Sequence, residues 1–552
     1  MATTENPLLR GLVDIGSNGV RFSISSLLPA TARIMPTIFQ DRAAISLYDA
    51  QFTGTVKSPI SDAVISQILV SMRRFAIVCT DYGVPAANIR VVATEATREA
   101  QNSQEFRDKI HRATGWTVEL LLKADEGRIG AEGVASSFSE VNGLVMDLGG
   151  GSTQLTWMIS KNGVSRMAKS AVSMPYGAAA LTKRIETAIN KHAVDTLRAE
   201  MKQRLAEAFD SIEVPSELTD YADDEGGYTL YLSGGGFRGF GFLLLDQHPI
   251  KPYPVPIING FKAPGSAFSN LADFHLASET TKRLDEKFRI SERRARQVPA
   301  VAFLINTLME TLPTIKTVIF CQGGVREGAL YETLPREIRA QDPLIVATTP
   351  FAPLDTLRIR TLLNYSLPRS APYIIRSETI PALANMITYH ANIPKESRPS
   401  CGLHSTTTGI LASTHGLTHE TRALLALALC ERWGGEVADS NTKVQLEDLV
   451  GPELAYWSRY TGAIAGVIGD VYPAGRILED KIRFFATDEN AGNATAAVVL
   501  KVRTRAGDPA SEAAMVQRGI EGLGKIGKRR KCREGYRRKV ALLWTRDLEE
   551  FE

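Results

Sequence analysis

Ten residues, Val145-Met146-Asp147-Leu148-Gly149-Gly150-Gly151-Ser152-Thr153-Gln154, constrain the fold of this chain more than any other stretch. An apolar strand pattern ends in an aspartate, three glycines and two hydroxyls follow, and a second apolar run, Leu155-Thr156-Trp157-Met158-Ile159, returns. Consecutive glycines carry no Cβ, so their backbone N–H groups can converge on an anion. An acidic group at the strand end beside such a turn suits a Mg²⁺ that bridges phosphates. A second version, Leu12-Val13-Asp14-Ile15-Gly16-Ser17-Asn18-Gly19-Val20-Arg21-Phe22, stands about 130 residues earlier. Either unit alone reads equally well as a plain hairpin. The pair, each with its aspartate in the same place, implies a duplicated architecture that holds phosphate between its halves.

The intervening pattern supports layered α/β structure. Apolar residues Val64, Ile65, Ile68, Leu69, Met72, Phe75 and Ala76 repeat at helical spacing over 61–82, with Ser61 or Asp62 as N-cap. Residues 89–94 read as a strand, 103–114 as a helix, 116–122 as a strand and 125–138 as a helix. A long helix is predicted over 193–212. Two further strand-to-glycine junctions follow, one at Gly234-Gly235-Gly236 and one leading into Arg326-Glu327-Gly328. Each can present helix N-terminal amides to an anion, although strand–glycine–helix packing without a ligand explains them too. Beyond about residue 345, prolines 350, 353, 368 and 372 and a helical run over 421–433 indicate a helical module. The last ~70 residues read as strand (496–502), helix (510–523) and strand (539–544). The expected segments are therefore 1–140, 141–345, 346–480 and 481–552.

Bulk properties exclude several classes. Residues of hydrophobic type make up 44% and charged ones 23%, the balance of a soluble globular protein. No secretory signal is visible at the start, and no uncharged apolar run approaches the ~20 residues that span a bilayer. Five scattered cysteines without CxxC spacing fit a reducing compartment. The expectation is a cytoplasmic protein with nuclear access open and no membrane association. Between Lys525 and Lys539 nine basic residues face one acid, Glu534, in a chain of net charge +3. The run Lys528-Arg529-Arg530-Lys531 suits polyanions or a nuclear address, but a solvated loop is the simpler reading, and direct nucleic-acid binding is not expected. No HExxH and no Gly-x-Ser-x-Gly occurs, so zinc protease and serine hydrolase chemistry have no anchor.

Hydrolysis of a phosphoanhydride needs a metal to neutralise oxygens, donors to cradle them and a base to orient water. Asp147 and Asp14 offer metal ligands. Ser17, Asn18, Gly19, Gly149, Gly150, Gly151 and Ser152 offer donors. Glu126, at the start of a helix just after a strand, is a candidate base, although an acidic helix start is ordinarily a cap or macrodipole partner.

Six motifs in order over about residues 10–335 resemble the exopolyphosphatase/guanosine pentaphosphatase family. They are Asp14-Ile15-Gly16-Ser17-Asn18; Ala93-Thr94 with Arg98 and Asn102; Asp125-Glu126-Gly127-Arg128; Asp147 to Thr153; the glycine run from Gly234; and Arg326-Glu327-Gly328. The resemblance implies a two-lobed, ribonuclease H-like α/β core of the actin, sugar kinase and heat-shock chaperone superfamily, followed by the helical module and a small α/β end domain. It makes Glu126 the water-activating base and places Mg²⁺ near Asp147 and Asp14. It assigns phosphate contacts to Arg98 and to both loops, Thr153 included, and nucleotide contacts to Gly234, Gly235, Gly236, Arg326 and Glu327. Cys401 to Gly409 and Arg422 to Glu436 are similar to the fungal, retrograde-regulation branch of the family. That branch is associated with signalling from impaired mitochondria to nuclear genes and with ATP binding. The implied ligand is thus ATP, another phosphorylated nucleotide or polyphosphate; a regulatory protein partner is implied and a homodimer stays open.

Three departures from the family pattern bear on rate. Gln154 replaces an acid, Gly19 a serine and Phe237 a threonine, the last expected to put apolar bulk near the phosphate path. Loss of one transition-state donor costs on the order of 10²–10³ in rate. The expectation is a phosphate-binding regulator with residual hydrolysis. A fully competent exopolyphosphatase or guanosine pentaphosphate phosphohydrolase is the alternative, and a sugar-kinase-like transferase lacks a separate catalytic aspartate.

Overall fold

Two apolar strands separated by two residues fold back on each other, and the first hairpin does so. β1 (Leu9–Gly16) pairs antiparallel with β2 (Gly19–Ser26), setting Gly16 opposite Gly19. The computed structural model describes residues 4–52, 57–188, 190–277, 284, 286–287, 289–489, 497–526, 536 and 538–547. β3 (Thr37–Ala43) extends the sheet beyond β2, while β4 (Ile89–Ala93) and β5 (Val118–Leu120) add parallel strands on the other side. The order is β3-β2-β1-β4-β5. α1 (Asp62–Asp81) is capped by the Ser61 hydroxyl, which accepts from the Val64 amide. Its apolar stripe, Ile65, Ile68, Met72, Phe75 and Cys79, joins Val13, Ile15, Phe22 and Ile24 of the hairpin in one core. This helix is long and apolar enough to cross a membrane, but the stripe is used here against the sheet. α2 (Glu95–Arg98), α3 (Ser103–Thr114) and α4 (Lys123–Ser136) follow.

The second sheet repeats the plan. β6 (Val141–Leu148) and β7 (Thr153–Lys161) form the antiparallel hairpin, extended by β8 (Val164–Met167) and β9 (Val172–Met174). After α5 (Ala178–Glu186) and α6 (Lys191–Ser211), β10 (Tyr228–Gly234) runs parallel to β6. α7 (Gly235–Gln247), β11 (Lys262–Pro264), α8 (Glu292–Thr311) and β12 (Ile315–Phe320) complete the layer, in the order β11-β12-β10-β6-β7-β8. α9 (Val325–Tyr331) and α10 (Arg336–Arg339) close the segment.

Two helices join the lobes. α4 and α9 touch backbone to backbone: a Cβ on Gly328 would lie 2.7 Å from the Gly133 nitrogen and 2.9 Å from the Ile129 carbonyl carbon. Around them Leu12 and Val92 of the first sheet pack with Leu121, Ile129 and Ala329. The core is a two-lobed α/β fold, as the paired motifs imply.

By its internal contacts the chain divides into two units, Met1–His248 with Ile258–Gln341, and Pro249–Ile257 with Asp342–Glu552. Both lobes lie in the first unit. The second holds the helices α11 (His419–Arg432) and α12 (Asn441–Val471), the latter kinked at Gly451 (φ 79°) before Pro452. It also holds α13 (Ala514–Leu523) and the sheet β13 (Ile482–Glu489), β14 (Ala497–Thr504), β15 (Lys539–Thr545), in that order. Arg422 is buried there, and its two terminal nitrogens donate to the carbonyls of Thr406, Leu411 and Thr414. The helix expected over 510–523 is interrupted at Ala513, whose ψ of 133° is extended. Ala496 and the basic run Lys528 to Lys531 lie outside the described residues.

Candidate phosphate-binding site

Hairpin register builds the site. Ser17 and Asn18 form the tip between Gly16 and Gly19, and Gly149 to Ser152 form the tip between Leu148 and Thr153. Gly19 has φ 152° and lies so close to β3 that a Cβ would sit 2.9 Å from the Ala43 carbonyl oxygen. The tips face each other across the lobes: a Cβ on Gly150 would lie 2.7 Å from Asn18 Nδ2, and one on Gly151 3.6 Å from Ser17 Oγ. The carbonyls of Gly149, Gly150 and Gly151 accept from the amides of Ala178 (2.9 Å), Ala179 (2.9 Å) and Gly177 (3.0 Å) at the start of α5. Among the described residues the amides of Ser17, Asn18, Gly150, Gly151 and Ser152 have no protein acceptor. Buried donors are seldom left unpaired; four of these residues are buried and Asn18 is partly so, and on two facing turns their amides form a ready cradle for an anion.

Four carboxylates gather around this cradle. Glu126 sits in the first turn of α4, its side chain 13% exposed, 3.5 Å from Arg98 Nη1. Its Oε2 is buried and has no hydrogen-bond partner. Burial pushes its pKa up to about 8; the charges of Glu95, Asp147 and Asp14 add to the rise and Arg98 opposes it. Burial also raises Asp14, against Arg21 (3.6 Å) and Arg326, with Glu327 and Asp147 adding to the rise. Glu95 is raised by burial as well, opposed first by a hydrogen bond with Ser152. Asp147 Oδ1 accepts a short hydrogen bond from Ser233 Oγ.

The raised Glu126 pKa makes a stability prediction with a definite sign. The folded protein keeps this proton to about pH 8, whereas the unfolded chain releases it near 4.3. The favourable contribution of the protonated group is complete below the unfolded value and disappears as pH rises through the folded one. Glu126→Gln, which mimics the protonated acid, is expected to match the wild type in melting temperature at pH 4. Its advantage then grows up to about pH 8 and levels off at a few kcal/mol. Thermal melts across that range check it.

Arginines from four segments surround the first tip. Arg42 and Arg293 both donate to the Asn18 carbonyl, at 2.9 and 2.8 Å. Burial, with repulsion from Arg21, Arg293 and Arg294, lowers Arg42 to about 10. Burial, with Arg21 and Arg294, lowers Arg238 to about 9, against the charges of Glu327 and Asp147. Guanidinium groups that crowd and desolvate one another are relieved by a bound polyanion.

The sequence-predicted residues are placed as follows. Asp14, Ser17, Asn18, Glu126, Asp147 and Gly149 to Ser152 come together. Arg98 faces Glu126 and donates to the Leu121 carbonyl, which fixes the acid. Thr153 spends its hydroxyl on the Asp147 carbonyl (2.8 Å). Gly234 (φ 88°) opens α7 beside Leu148, with Gly235 and Gly236 in its first turn. Arg326 pairs with Glu327 at 2.7 Å, and Glu327 also accepts from the Gly324 amide at 3.1 Å.

Phe237 corrects an expectation: it is fully buried against Phe268 on the inner side of α7, not in the phosphate path. Gln154 donates to Ser152 Oγ at 2.8 Å, so the amide orients the hydroxyl that meets Glu95. Sequence reasoning missed Glu95, Arg21, Arg42, Ser233, Arg238, Arg293 and Arg294. Only Glu95, inside the Ala93-to-Arg98 motif, and Ser233, at a strand end beside glycines, carried a local signal.

Among the described residues no three His, Cys, Asp or Glu side chains converge tightly enough to hold an ion unaided. Mg²⁺ ordinarily binds through one or two carboxylates, water and substrate phosphates. Asp14, 3.6 Å from Arg21, and Asp147, hydrogen-bonded by Ser233, stand beside the anion cradle and fit that mode of two carboxylates completed by water and phosphate.

Two sheets on one plan, with opposed glycine-rich tips and amides without a protein acceptor between them, define a duplicated, two-lobed α/β fold. A model of the Ppx/GppA phosphatase family matches residues 27–337, over half the chain, and the chain belongs to that family. A second model, the RTG2 C-terminal domain, matches residues 342–546. Retrograde regulation protein 2 of Saccharomyces cerevisiae is 43% identical over 493 residues, 86% of this chain and 83% of that protein. Exopolyphosphatase 1 of Mycobacterium leprae is 26% identical over 337 residues, 59% of this chain and 90% of its own length. The crystal structure of the Aquifex aeolicus family member is similar at TM-score 0.46 and 22% identity, over 59% of this chain and 97% of that one. The sequence-based resemblance to the family and to its retrograde-regulation branch is borne out.

Proposed function

We propose that this protein is a regulator whose cleft binds the phosphate chain of a nucleotide or of polyphosphate, with slow Mg²⁺-dependent hydrolysis retained. The single observation that carries this reading is the pair of facing tips whose amides have no protein acceptor. The arginines around Asn18 supply positive charge for a chain of several phosphoryl groups. Mg²⁺, held by Asp14 and Asp147, would neutralise phosphoryl oxygens when bound. Glu126 in its deprotonated form accepts the proton of a water through Oε2, while Arg98 holds the carboxylate in place. A base raised to about 8 is mostly protonated at neutral pH in the empty cleft, which favours binding over turnover.

The similarity to retrograde regulation protein 2 supports a signalling role inside the cell, with lobe closure passed to a protein partner. A competent hydrolase is the second reading, favoured by a Glu126 oxygen that is ion-paired with Arg98 but accepts no hydrogen bond from the protein. The test is to incubate purified protein with Mg²⁺ and long-chain polyphosphate, ATP or guanosine pentaphosphate, beside Glu126→Gln. Tight binding with turnover far below one per second supports the regulator; rapid turnover lost in the variant supports the hydrolase.

A further inference from the structure

A cavity of about 680 Å³ opens at the start of β1, the end away from the phosphate tips. Its volume lies within the ~300–1,000 Å³ range of small-molecule pockets. Leu12 and Leu27 wall one side, and Leu330, Leu334 and Ile338 wall the other. Two cations line it. Arg90 is neutralised by Glu119 (2.9 Å) and Glu332 (3.3 Å). Arg10 has no carboxylate partner among the described residues: its Nη1 donates only to the main-chain carbonyls of Pro7 (2.6 Å) and Leu9 (3.0 Å). A partly exposed guanidinium whose protein acceptors are main-chain carbonyls alone keeps its charge for an anionic head group, which forms stronger hydrogen bonds with it than a neutral one.

We propose that this cavity is a binding site for a small amphipathic anion, its apolar body against Leu12, Leu330, Leu334 and Ile338 and its head on Arg10. The walls come from both lobes, because Leu12 belongs to β1 while Leu330 belongs to α9. The opposite end of the same short α9 carries Arg326 and Glu327 beside Asp14. An occupant therefore touches the joint about which the lobes are arranged, at a place separate from the phosphate cradle.

The site is tested by titration calorimetry on the full chain with decanoate, decyl phosphate and decanol, using Arg10→Gln and Leu334→Trp variants. Decanoate or decyl phosphate is expected to saturate a single site at least ~10-fold more tightly than decanol. The stronger of the two identifies the head group as carboxylate or phosphate. Arg10→Gln should remove that advantage and leave decanol unchanged, and Leu334→Trp should abolish binding of all three by filling the cavity. Ile338→Phe replaces Leu334→Trp if circular dichroism shows that variant unfolded. The proposal is overturned if no probe saturates, if decanol binds as well as both anions, or if the cavity-filling variant binds like the wild type.

Discussion

Glu126→Gln is expected to lower phosphate release from polyphosphate by at least ~100-fold, because a positioned general base contributes about 10²–10⁴ in rate. Ligand affinity should hold within about threefold, since the amide keeps the size of the acid and the cradle is built from other residues. The split follows from geometry: Glu126 Oε2 has an ion-pair partner in Arg98 at 3.5 Å but accepts no hydrogen bond from the protein, so the carboxylate is held while its lone pairs stay free for a water. Wild-type turnover should also rise with pH toward about 8, where the base loses its proton. Release and binding measured on the same preparations decide it. Equal phosphate release from both proteins would remove Glu126 from the mechanism.

The second large effect concerns the joint between the lobes. Gly328→Ala is expected to destabilise the first unit by about 3 kcal/mol or more, at the upper end for overpacked cores. The added methyl would meet the main chain of Ile129 and Gly133, so one helix must move. Because α4 carries Glu126 and α9 carries Arg326 and Glu327, that movement should weaken phosphate binding too. Gly130→Ala is the matched control: a Cβ there meets nothing within 4 Å. It should be neutral or stabilising by up to ~1 kcal/mol, the helix preference for Ala over Gly. Melting curves of the two variants side by side check the contrast.

What the sequence made legible was local. The two tips, the aspartates before them, the Ser61 cap and the position of Glu126 in its helix all follow from residues within one turn or hairpin. The partners were not legible. Arg293 reaches Asn18 from 275 positions away along the chain, and nothing in its helical context marks it as a site residue. Arg42 lies on β3, and its reach to the Asn18 carbonyl follows only once β3 is paired with β2. Phe237 misled because one position along a helix turns a side chain by about 100°, from the cleft to the core. Gln154 reads as the loss of a charge, and its contact with Ser152 becomes visible only once strand register sets both side chains beside each other.

A co-crystal with Mg²⁺ and a non-hydrolysable imidotriphosphate tests the central claim most directly. Phosphoryl oxygens should lie within hydrogen-bonding distance of the amides of Ser17, Asn18, Gly150 and Gly151, with the metal at Asp14 or Asp147. Density for the ligand elsewhere, or an empty space between the tips at saturating ligand, would contradict the account.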